Sequence, residues 1–379
     1  MIKTKLSNIG KDIFTVISEL VKDTDIINLA QVSPDFSCPQ KLSDLAVKYI
    51  GGGFNQYAHP DGVAELRETI GEQIFDRHAI NYSPENEITI TAGATQAMYT
   101  AISSFINEGD EVIIFEPAYN SYIPAIESCG GRPVFVQLKY PDYTIDWEAV
   151  QKIINTRTKL IIVNTPHNPT GTLFTENDIA QLQKIVNGTK INIISDETFE
   201  HIVYNEDNHF SVLSSPKLAE RSIVISSFGK TFNTPGWKIG YCVAPEKLMS
   251  PIRKNQLFQV NSVNAPLQYA LAEFLGHGVD HSAIIKPYRE KRDLTKKLFS
   301  DTRFEIVPTQ STSFQLLDYS EISNQKDTEF AREIMDNYGV ALFPLSVFYH
   351  DSIDHKTLGL NFARNEQVLV EAVQRLKKV

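Results

Sequence analysis

The sequence predicts an α/β fold, with a mostly parallel sheet covered by helices and a smaller α+β portion after it. Short apolar runs alternate with helical patterns between residues 64 and 244, and each run is apolar throughout rather than at every second position. Continuous apolar strands are typical of parallel sheets that are buried on both faces. After Ala265 helical patterns dominate, and four short strand patterns follow.

The predicted elements follow one another closely, and Pro34 and Pro39 exclude a long helix from the first forty residues. Helical stripes such as Leu66, Ile70 and Ile74 predict helices at residues 64–78, 94–106, 119–128, 147–154, 176–186, 266–275, 286–299 and 366–378. Apolar runs predict strands at residues 88–91, 111–115, 133–138, 160–163, 191–195, 222–225, 239–244, 303–307, 313–317, 340–343 and 357–362. This order predicts a large domain over residues 45–275 and a small domain made of residues 1–44 and 276–379.

Composition is that of a soluble globular enzyme, with 379 residues, 42% hydrophobic and 22% charged. The net charge of -10 argues against non-specific binding to nucleic acid or anionic membranes. The first twenty residues have no long apolar stretch, so we expect neither a signal peptide nor a membrane span. Cys38, Cys129 and Cys242 lack CxxC spacing, which indicates reduced thiols in a cytoplasmic protein. No metal site is expected, because His350 and His355 are poorly spaced for one.

Polar and aromatic side chains gather where the predicted strands end. These segments are Gly93-Ala94-Thr95, Glu116 to Tyr119, Asn164 to Gly171, Asp196-Glu197 and Ser227 to Lys230. Ligands of parallel sheets bind beyond the carboxyl ends of the strands. The sequence therefore predicts one ligand site at this edge of the sheet.

Lys230 is the first cation after the apolar run Ser222 to Ile225, in a Ser/Gly turn. A lysine at the end of a buried strand can lose its proton by desolvation, and the neutral amine can form a Schiff base with a carbonyl. The same stretch would also fit an ordinary surface lysine. The letters Gly229-Lys230-Thr231 imitate the end of a nucleotide P-loop, but Val224 stands where that loop needs glycine.

The strand ends together offer the four parts of a pyridoxal phosphate site. Such a site needs an amine, a carboxylate at the pyridine nitrogen, a phosphate cradle at a helix start and a flat side chain over the ring. The candidates are Lys230 as the amine, Asp196 as the carboxylate, Ala94, Thr95, Ser227 and Lys238 as the cradle, and Tyr119 as the flat ring. Each alone could be structural, since Asp196 could cap a helix and Lys238 could be a solvated charge. Their joint placement at strand ends favours the cofactor site.

The chain resembles the fold-type I, class I/II aminotransferases over nearly its whole length. It is most similar to the bacterial methionine aminotransferases and to the kynurenine/glutamine aminotransferases. The blocks that carry the resemblance are Asn55-Gln56-Tyr57-Ala58, Thr91 to Thr95, Asn164 to Gly171, Ser195-Asp196-Glu197 and Ser226 to Tyr241.

The resemblance implies an aminotransferase that uses pyridoxal phosphate, an amino acid donor (methionine, aromatic or glutamine-like) and a 2-oxo acid. It implies roles for nine residues. Lys230 forms the Schiff base with the cofactor, Asp196 pairs with its pyridinium nitrogen, and Asn168 bonds its phenolic oxygen. Tyr119 stacks on the cofactor ring, and Tyr57 reaches the phosphate in the neighbouring subunit. The phosphate is also bound by Ala94, Thr95, Ser227 and Lys238. It also implies a homodimer with active sites at the interface.

The sequence departs from this family at positions that face the substrate. Phe199 replaces a tyrosine that donates to the phenolic oxygen, which should raise the pKa of the Schiff base nitrogen. Gly359 replaces an arginine that forks onto the substrate α-carboxylate, and Val32 replaces a glycine that backs onto the same group. Ser313 stands where relatives often carry a tyrosine. Arg364, five residues after Gly359 in a slot that often holds a surface lysine, is not expected to substitute.

These departures suggest the hypothesis that the protein binds pyridoxal phosphate normally but handles ordinary α-amino acids weakly, or prefers an amine without an α-carboxylate. Another basic residue could instead compensate. Two further functions stay open: a pyridoxal-phosphate-dependent Cβ–S lyase, which shares the early chemistry, and a cofactor-binding relative that has lost turnover.

Overall fold

The computed structural model describes residues 5–6, 9–31, 33–204 and 209–379. Its helices are α1 (Ile13–Val21), α2 (Gln40–Gly51), α3 (Ala64–His78), α4 (Ala94–Phe105), α5 (Tyr122–Ser128), α6 (Trp147–Ile153), α7 (Glu176–Val186), α8 (Pro216–Ala219), α9 (Phe228–Thr231), α10 (Glu246–Gln259), α11 (Ala265–Gly276), α12 (His281–Phe299), α13 (Asp327–Tyr338) and α14 (Glu366–Leu376). Its strands are β1 (Ile27–Asn28), β2 (Ile88–Thr91), β3 (Glu111–Glu116), β4 (Arg132–Gln137), β5 (Thr158–Asn164), β6 (Asn192–Asp196), β7 (Ser222–Ser227), β8 (Gly240–Val243), β9 (Glu305–Val307), β10 (Phe314–Asp318), β11 (Val340–Ala341), β12 (Phe343–Pro344) and β13 (Thr357–Asn361).

The central sheet has seven strands in the order β2-β8-β7-β6-β5-β3-β4. Neighbouring strands from β7 to β4 pair in parallel. The strand β8 lies antiparallel between β2 and β7. The prediction of a mostly parallel sheet is therefore confirmed.

Both faces of this sheet are covered, which explains why its strands are apolar throughout. Ile193 and Ile194 are adjacent in β6 and both are 0% exposed, yet they belong to different cores. Successive side chains of a strand point to opposite faces, so each of the two needs its own apolar cover. Helices α4, α5 and α10 pack on the Ile194 side, and α3, α6, α7 and α11 pack on the Ile193 side.

Three neighbouring strands end side by side at one edge of the sheet. β5 ends at Asn164, β6 at Asp196 and β7 at Ser227, and Asn164 pairs in register with Asp196. The strand order therefore brings together the polar segments that lie far apart along the chain.

The second part of the chain builds an antiparallel sheet in the order β12-β13-β10-β9. Within it, Gly359 of β13 pairs with Leu316 on one side and with Phe343 on the other. Separately, β1 pairs in parallel with β11, which joins the N-terminal segment to the C-terminal part. That pairing suits the predicted small domain of residues 1–44 and 276–379, although the division into two domains stays a prediction.

Several elements differ from their predicted form. Helices α2, α8, α10 and α13 were not predicted, and Pro39 precedes α2 while Pro251 lies inside α10. The single strand predicted at residues 340–343 is divided between β11 and β12, which pair in different sheets. Of the helices that the structure describes, none is long and apolar enough to span a membrane.

Candidate active site

A cavity of about 160 Å³ opens at the edge where β5, β6 and β7 end. Its lining brings together eight of the nine predicted site residues: Ala94, Thr95, Tyr119, Asn168, Asp196, Ser227, Lys230 and Lys238. Tyr57 is the exception, because it is 86% exposed and does not line this cavity. We call this space the cofactor cavity.

Lys230 projects into the cofactor cavity from α9, which starts directly after β7. The expected Ser/Gly turn is a helical turn instead, because the Ser227 Oγ accepts from the Gly229 N–H at 3.2 Å and caps the helix. Burial in the cavity, together with the nearby charge of Lys238, lowers the pKa of Lys230 to about 8. Near physiological pH a lysine with this pKa is protonated in most molecules and neutral in a substantial minority, and the neutral form is the nucleophilic amine.

Asp196 ends β6 and is 6% exposed. Its Oδ1 accepts from the Thr198 Oγ1 at 2.6 Å and its Oδ2 accepts from the Tyr122 hydroxyl at 2.6 Å. Desolvation raises the pKa of Asp196, and these two hydrogen bonds oppose that rise. A buried carboxylate without a cation among the described residues suits a protonated pyridine nitrogen. Sequence reasoning missed Tyr122 and Thr198, which had no strand-end signal of their own.

The start of α4 forms an anion cradle. Gly93 precedes the helix with φ at +81°, so a residue with a side chain would be strained there. A Cβ on Gly93 would lie 3.3 Å from the Lys238 Nζ, and a Cβ on Gly240 would lie 3.0 Å from the Ala94 backbone N. Both glycines thus keep space free beside the first N–H groups of the helix, where an anion is favoured. This arrangement fits a phosphate group.

Asn164 holds the loop after β5 against β6. Its Oδ1 accepts from the Asn168 N–H at 2.8 Å, and its Nδ2 donates to the Asp196 carbonyl at 2.9 Å. Asn168 is thereby fixed at the cavity wall. The ring of Tyr119, which also lines the cavity, meets the ring of Tyr122 edge-on, with the centroids 5.5 Å apart.

A second cavity of about 820 Å³ adjoins the first and shares Thr95, Tyr119 and Asn168 with it. We call it the substrate cavity. The N-terminal segment from Ile9 to Phe14 and the turn with Val347 and Phe348 line much of it. Sequence reasoning assigned no function to these segments. The only available signal was a helical pattern in the sequence, formed by Ile13, Ile17, Leu20 and Val21, which became α1.

The described positions at which the sequence departs from the family are buried. Phe199 is 3% exposed and packs against Phe314. A Cβ on Gly359 would lie 2.1 Å from ring carbons of Phe343, so that ring fills the space above this glycine. Arg364 is buried, at 5% exposed, rather than at the surface. Ser313 is buried as well. Val32 lies outside the described residues.

Glu116, at the end of β3, holds the turn that lines the substrate cavity. Its carboxylate accepts from the His350 backbone N–H at 2.6 Å and contacts the His350 Nδ1 at 2.8 Å. Desolvation raises the pKa of Glu116, and His350 opposes this. Asp351 lies close enough to complete a three-ligand group. Glu116 is already bonded through both oxygens, and the expectation of no metal site stays a prediction.

The residues of the cofactor cavity fit pyridoxal phosphate. When bound, pyridoxal phosphate supplies an electron-withdrawing ring that makes the hydrogen on the amine-bearing carbon of a substrate easier to remove. Asp196 would hold the ring nitrogen, and Asn168 would hold the phenolic oxygen. The start of α4 with Ser227 and Lys238 would hold the phosphate. Lys230 would supply the amine and accept the substrate proton.

Comparisons with known proteins agree with this geometry. The family model for aminotransferase class I and II matches residues 24–376. The methionine aminotransferase of Escherichia coli is 41% identical over 378 residues, covering 100% of this chain and 98% of the relative. The kynurenine–oxoglutarate transaminase of Dictyostelium discoideum is 31% identical, covering 94% of this chain and 90% of the relative.

Solved structures agree as well. YbdL from Escherichia coli, whose crystal structure and reactivity identified a methionine aminotransferase function, has a TM-score of 0.97 at 41% identity, and the match covers 100% of both chains. The N-succinyldiaminopimelate aminotransferase of Mycobacterium tuberculosis has a TM-score of 0.95 at 30% identity, again over 100% of both chains. The chain therefore belongs to the class I and II aminotransferases, which depend on pyridoxal phosphate.

Proposed function

We propose that this protein moves an amino group from an amino donor to a 2-oxo acid, with Lys230 as the residue that carries the proton. The observation that supports this most is the joint placement of Lys230, Asp196 and the start of α4 in one cavity. Lys230 would first release the bound cofactor to the substrate amine. It would then move a proton between the amine-bearing carbon and the C4′ carbon of the cofactor.

The proposed donors are methionine, aromatic or glutamine-like amino acids. The methionine aminotransferase and the kynurenine–oxoglutarate transaminase among the relatives support this range. The largely apolar lining of the substrate cavity, with Ile9, Ile13 and Phe14, suits such side chains. We expect these and other α-amino acids to react slowly, because Gly359 provides no cation for their carboxylate.

We further propose that the protein is a homodimer in which Tyr57 completes the partner's site. Tyr57 is 86% exposed and lines neither cavity of its own protomer, which supports a role across an interface. The proposed location is the cytoplasm. Three cysteines without a disulfide, namely Cys38, Cys129 and Cys242, support it.

The experiment that tests this function mixes the purified holoenzyme with methionine, phenylalanine or glutamine and follows the absorbance of the cofactor. Conversion to the aminated form of the cofactor is the expected result, and Lys230→Ala should lose the starting absorbance band. Release of pyruvate and ammonia from cystathionine without amination of the cofactor would indicate a Cβ–S lyase instead. A cofactor band that no amino donor changes would indicate a relative without turnover.

A further inference from the structure

Five aromatic rings form a continuous wall that begins beside the reactive lysine. The Lys230 Nζ lies 5.4 Å from the centroid of the Phe199 ring, and Phe199 meets Phe314 at 6.1 Å. Phe314 meets Phe343 at 5.8 Å, and Phe343 meets Phe14 at 5.6 Å and Phe348 at 5.8 Å. We call these five rings the phenylalanine wall. Phe199 lines the cofactor cavity, and Phe14 and Phe348 line the substrate cavity. Phe314 and Phe343 lie behind these rings and line neither cavity.

Phe343 fills the space into which a side chain at position 359 of β13 would point. It is 0% exposed and lies opposite Gly359 in the register of β12 and β13. Three carbons of its ring lie between 2.1 and 2.8 Å from the place of a Cβ on Gly359. Any side chain at position 359 would have to displace this ring. The space behind the surface of the phenylalanine wall is therefore filled by an apolar ring.

The two cavities provide few cations for a substrate carboxylate. Among the described residues that line them, the cations are Lys230, Lys238 and Lys11. Lys230 and Lys238 are the amine and the phosphate contact of the cofactor cavity. Lys11 is 66% exposed in its side chain and pairs with Glu19 at 2.8 Å. A carboxylate placed against the phenylalanine wall would lose hydration without gaining a fixed cation, which costs free energy.

Arg364 is the buried guanidinium nearest to β13 along the chain, and it is occupied by a structural contact. Its Nη2 donates to the Gln31 carbonyl at 2.9 Å, and the Asn361 Nδ2 donates to the same oxygen at 2.9 Å. Arg364 lines neither of the two cavities. Its Nε has no hydrogen-bond partner among the described residues. These contacts indicate that Arg364 fixes the loop at Gln31. A variant of Arg364 is therefore a suitable control for variants of the phenylalanine wall.

From these observations we propose that the subsite where Phe199, Phe14 and Phe348 face the two cavities, with Phe343 behind them, binds an apolar group in place of a carboxylate. The favoured donor is then a primary amine that carries an alkyl or arylalkyl group, and no carboxylate, on its amine-bearing carbon. This inference rests on the proposed aminotransferase function and names its substrate class.

The half-reaction for such a donor balances without an added oxidant. The amine R–CH₂–NH₂ gives up its amino group and one hydrogen and takes the oxygen of the cofactor aldehyde, so it leaves as R–CHO. The cofactor carbon gains that amino group and hydrogen. The substrate carbon is oxidised by two electrons and the cofactor is reduced by two.

Binding without turnover gives the first test. The holoenzyme is titrated in a calorimeter with 3-phenylpropan-1-ol and with 3-phenylpropanoate, which share a carbon skeleton and lack an amine. We expect the alcohol to bind roughly tenfold or more tightly, because the carboxylate stays unpaired. Equal or tighter binding of 3-phenylpropanoate would overturn the proposal.

Variants identify the residues that make the site prefer the alcohol to the carboxylate. In Phe343→Ala/Gly359→Arg the ring is removed and a guanidinium takes its space, so we expect 3-phenylpropanoate to become the tighter ligand. Phe343→Leu keeps an apolar wall and should keep the preference for the alcohol. Arg364→Met is the matched control and should leave the ratio of the two affinities unchanged. A tenfold or greater loss of 3-phenylpropanoate binding in Arg364→Met would show that Arg364 holds the carboxylate, against the proposal.

Turnover separates this proposal from the proposed function. Phenylalanine and 2-phenylethylamine differ only in the carboxylate, and we expect the amine to aminate the cofactor roughly tenfold faster or more. Faster amination by phenylalanine would refute the subsite and keep the aminotransferase. If neither compound aminates the cofactor while the alcohol still binds more tightly, the proposed function fails and the apolar subsite stands.

Discussion

Lys230 and Lys238 lie in the same cavity, and the charge of Lys238 helps to decide when Lys230 can react. Burial and this charge lower the pKa of Lys230 from 10.5 to about 8. Below that pH the amine holds a proton and cannot attack a carbonyl. The rate at which cofactor-free protein reacts with pyridoxal, which lacks the phosphate, should therefore rise with pH through about 8 and then level off. Stopped-flow absorbance measures this rate.

The controls for this pH profile are two neutralised lysines. Lys238→Gln should move the midpoint to higher pH, because the neighbouring positive charge is gone. Lys254→Gln, at an exposed position of α10, should leave it in place. A midpoint near the ordinary lysine value of 10.5 in the unmodified protein would contradict the expectation.

Single residues differ in how far the sequence predicts them. Lys230 and Asp196 could be found because each follows a buried strand directly. Tyr122 could not, because its bond to Asp196 joins residues 74 positions apart and depends on the tertiary fold. Phe343 could not either, since only the pairing of β12 with β13 places its ring over Gly359.

At the scale of elements, the start of α4 depends on a backbone shape that glycine allows. Gly93 has φ +81° and ψ 166°, a conformation that essentially only glycine adopts, so Gly93→Ala adds strain of about 1–3 kcal/mol, and the new Cβ crowds the Lys238 side chain. We expect lower stability and, in addition, roughly tenfold weaker binding of pyridoxal phosphate, since one charged contact to the phosphate is disturbed. Denaturant unfolding and an absorbance titration measure the two effects.

Gly109→Ala is the matched control for this cradle. Gly109 has φ at +83°, close to that of Gly93, but a Cβ there has nothing within 4 Å. Gly109→Ala should lose stability because of its positive φ and keep its affinity for the cofactor. Equal losses of affinity in both variants would mean that the cradle does not depend on Gly93.

The elements themselves were largely predictable where the hydrophobic period is regular, as in α3 and α7, whose predicted bounds match the structure. Prediction fails where local and tertiary signals compete. Pro251 in the first turns of α10 hides a helix that the packing of Leu248 and Ile252 on the sheet stabilises. The run at residues 340–343 is too short to show that its two halves join different sheets.

At the scale of the whole molecule, the proposed homodimer predicts that Tyr57 acts in the active site of the partner subunit. Tyr57→Ala should weaken cofactor binding roughly tenfold or more, the usual cost of a lost bond to a charged group. Co-expression of Tyr57→Ala with Lys230→Ala should restore activity, because a mixed dimer has one site with both native residues. Random pairing would make about one quarter of all sites intact. Activity is measured with limiting cofactor.

Each variant expressed alone provides the control for this mixing experiment, and both should stay nearly inactive. No recovery in the mixture would place Tyr57 outside the partner's site. This role of Tyr57 could be predicted only from the resemblance to the family. In the folded protomer Tyr57 is exposed to solvent, and the residues around it in the sequence do not indicate an interface.

The contact between Phe343 and Gly359 also constrains the history of the chain. A single mutation cannot introduce arginine at position 359, because the ring of Phe343 already occupies the first atoms of the new side chain. A reversal must therefore begin at position 343, through a variant that leaves the space empty and destabilises the core. By the same logic, Phe343 could take its present place only together with, or after, the loss of any side chain at 359. Positions 343 and 359 are therefore coupled, and we expect substitutions at the two positions to occur together.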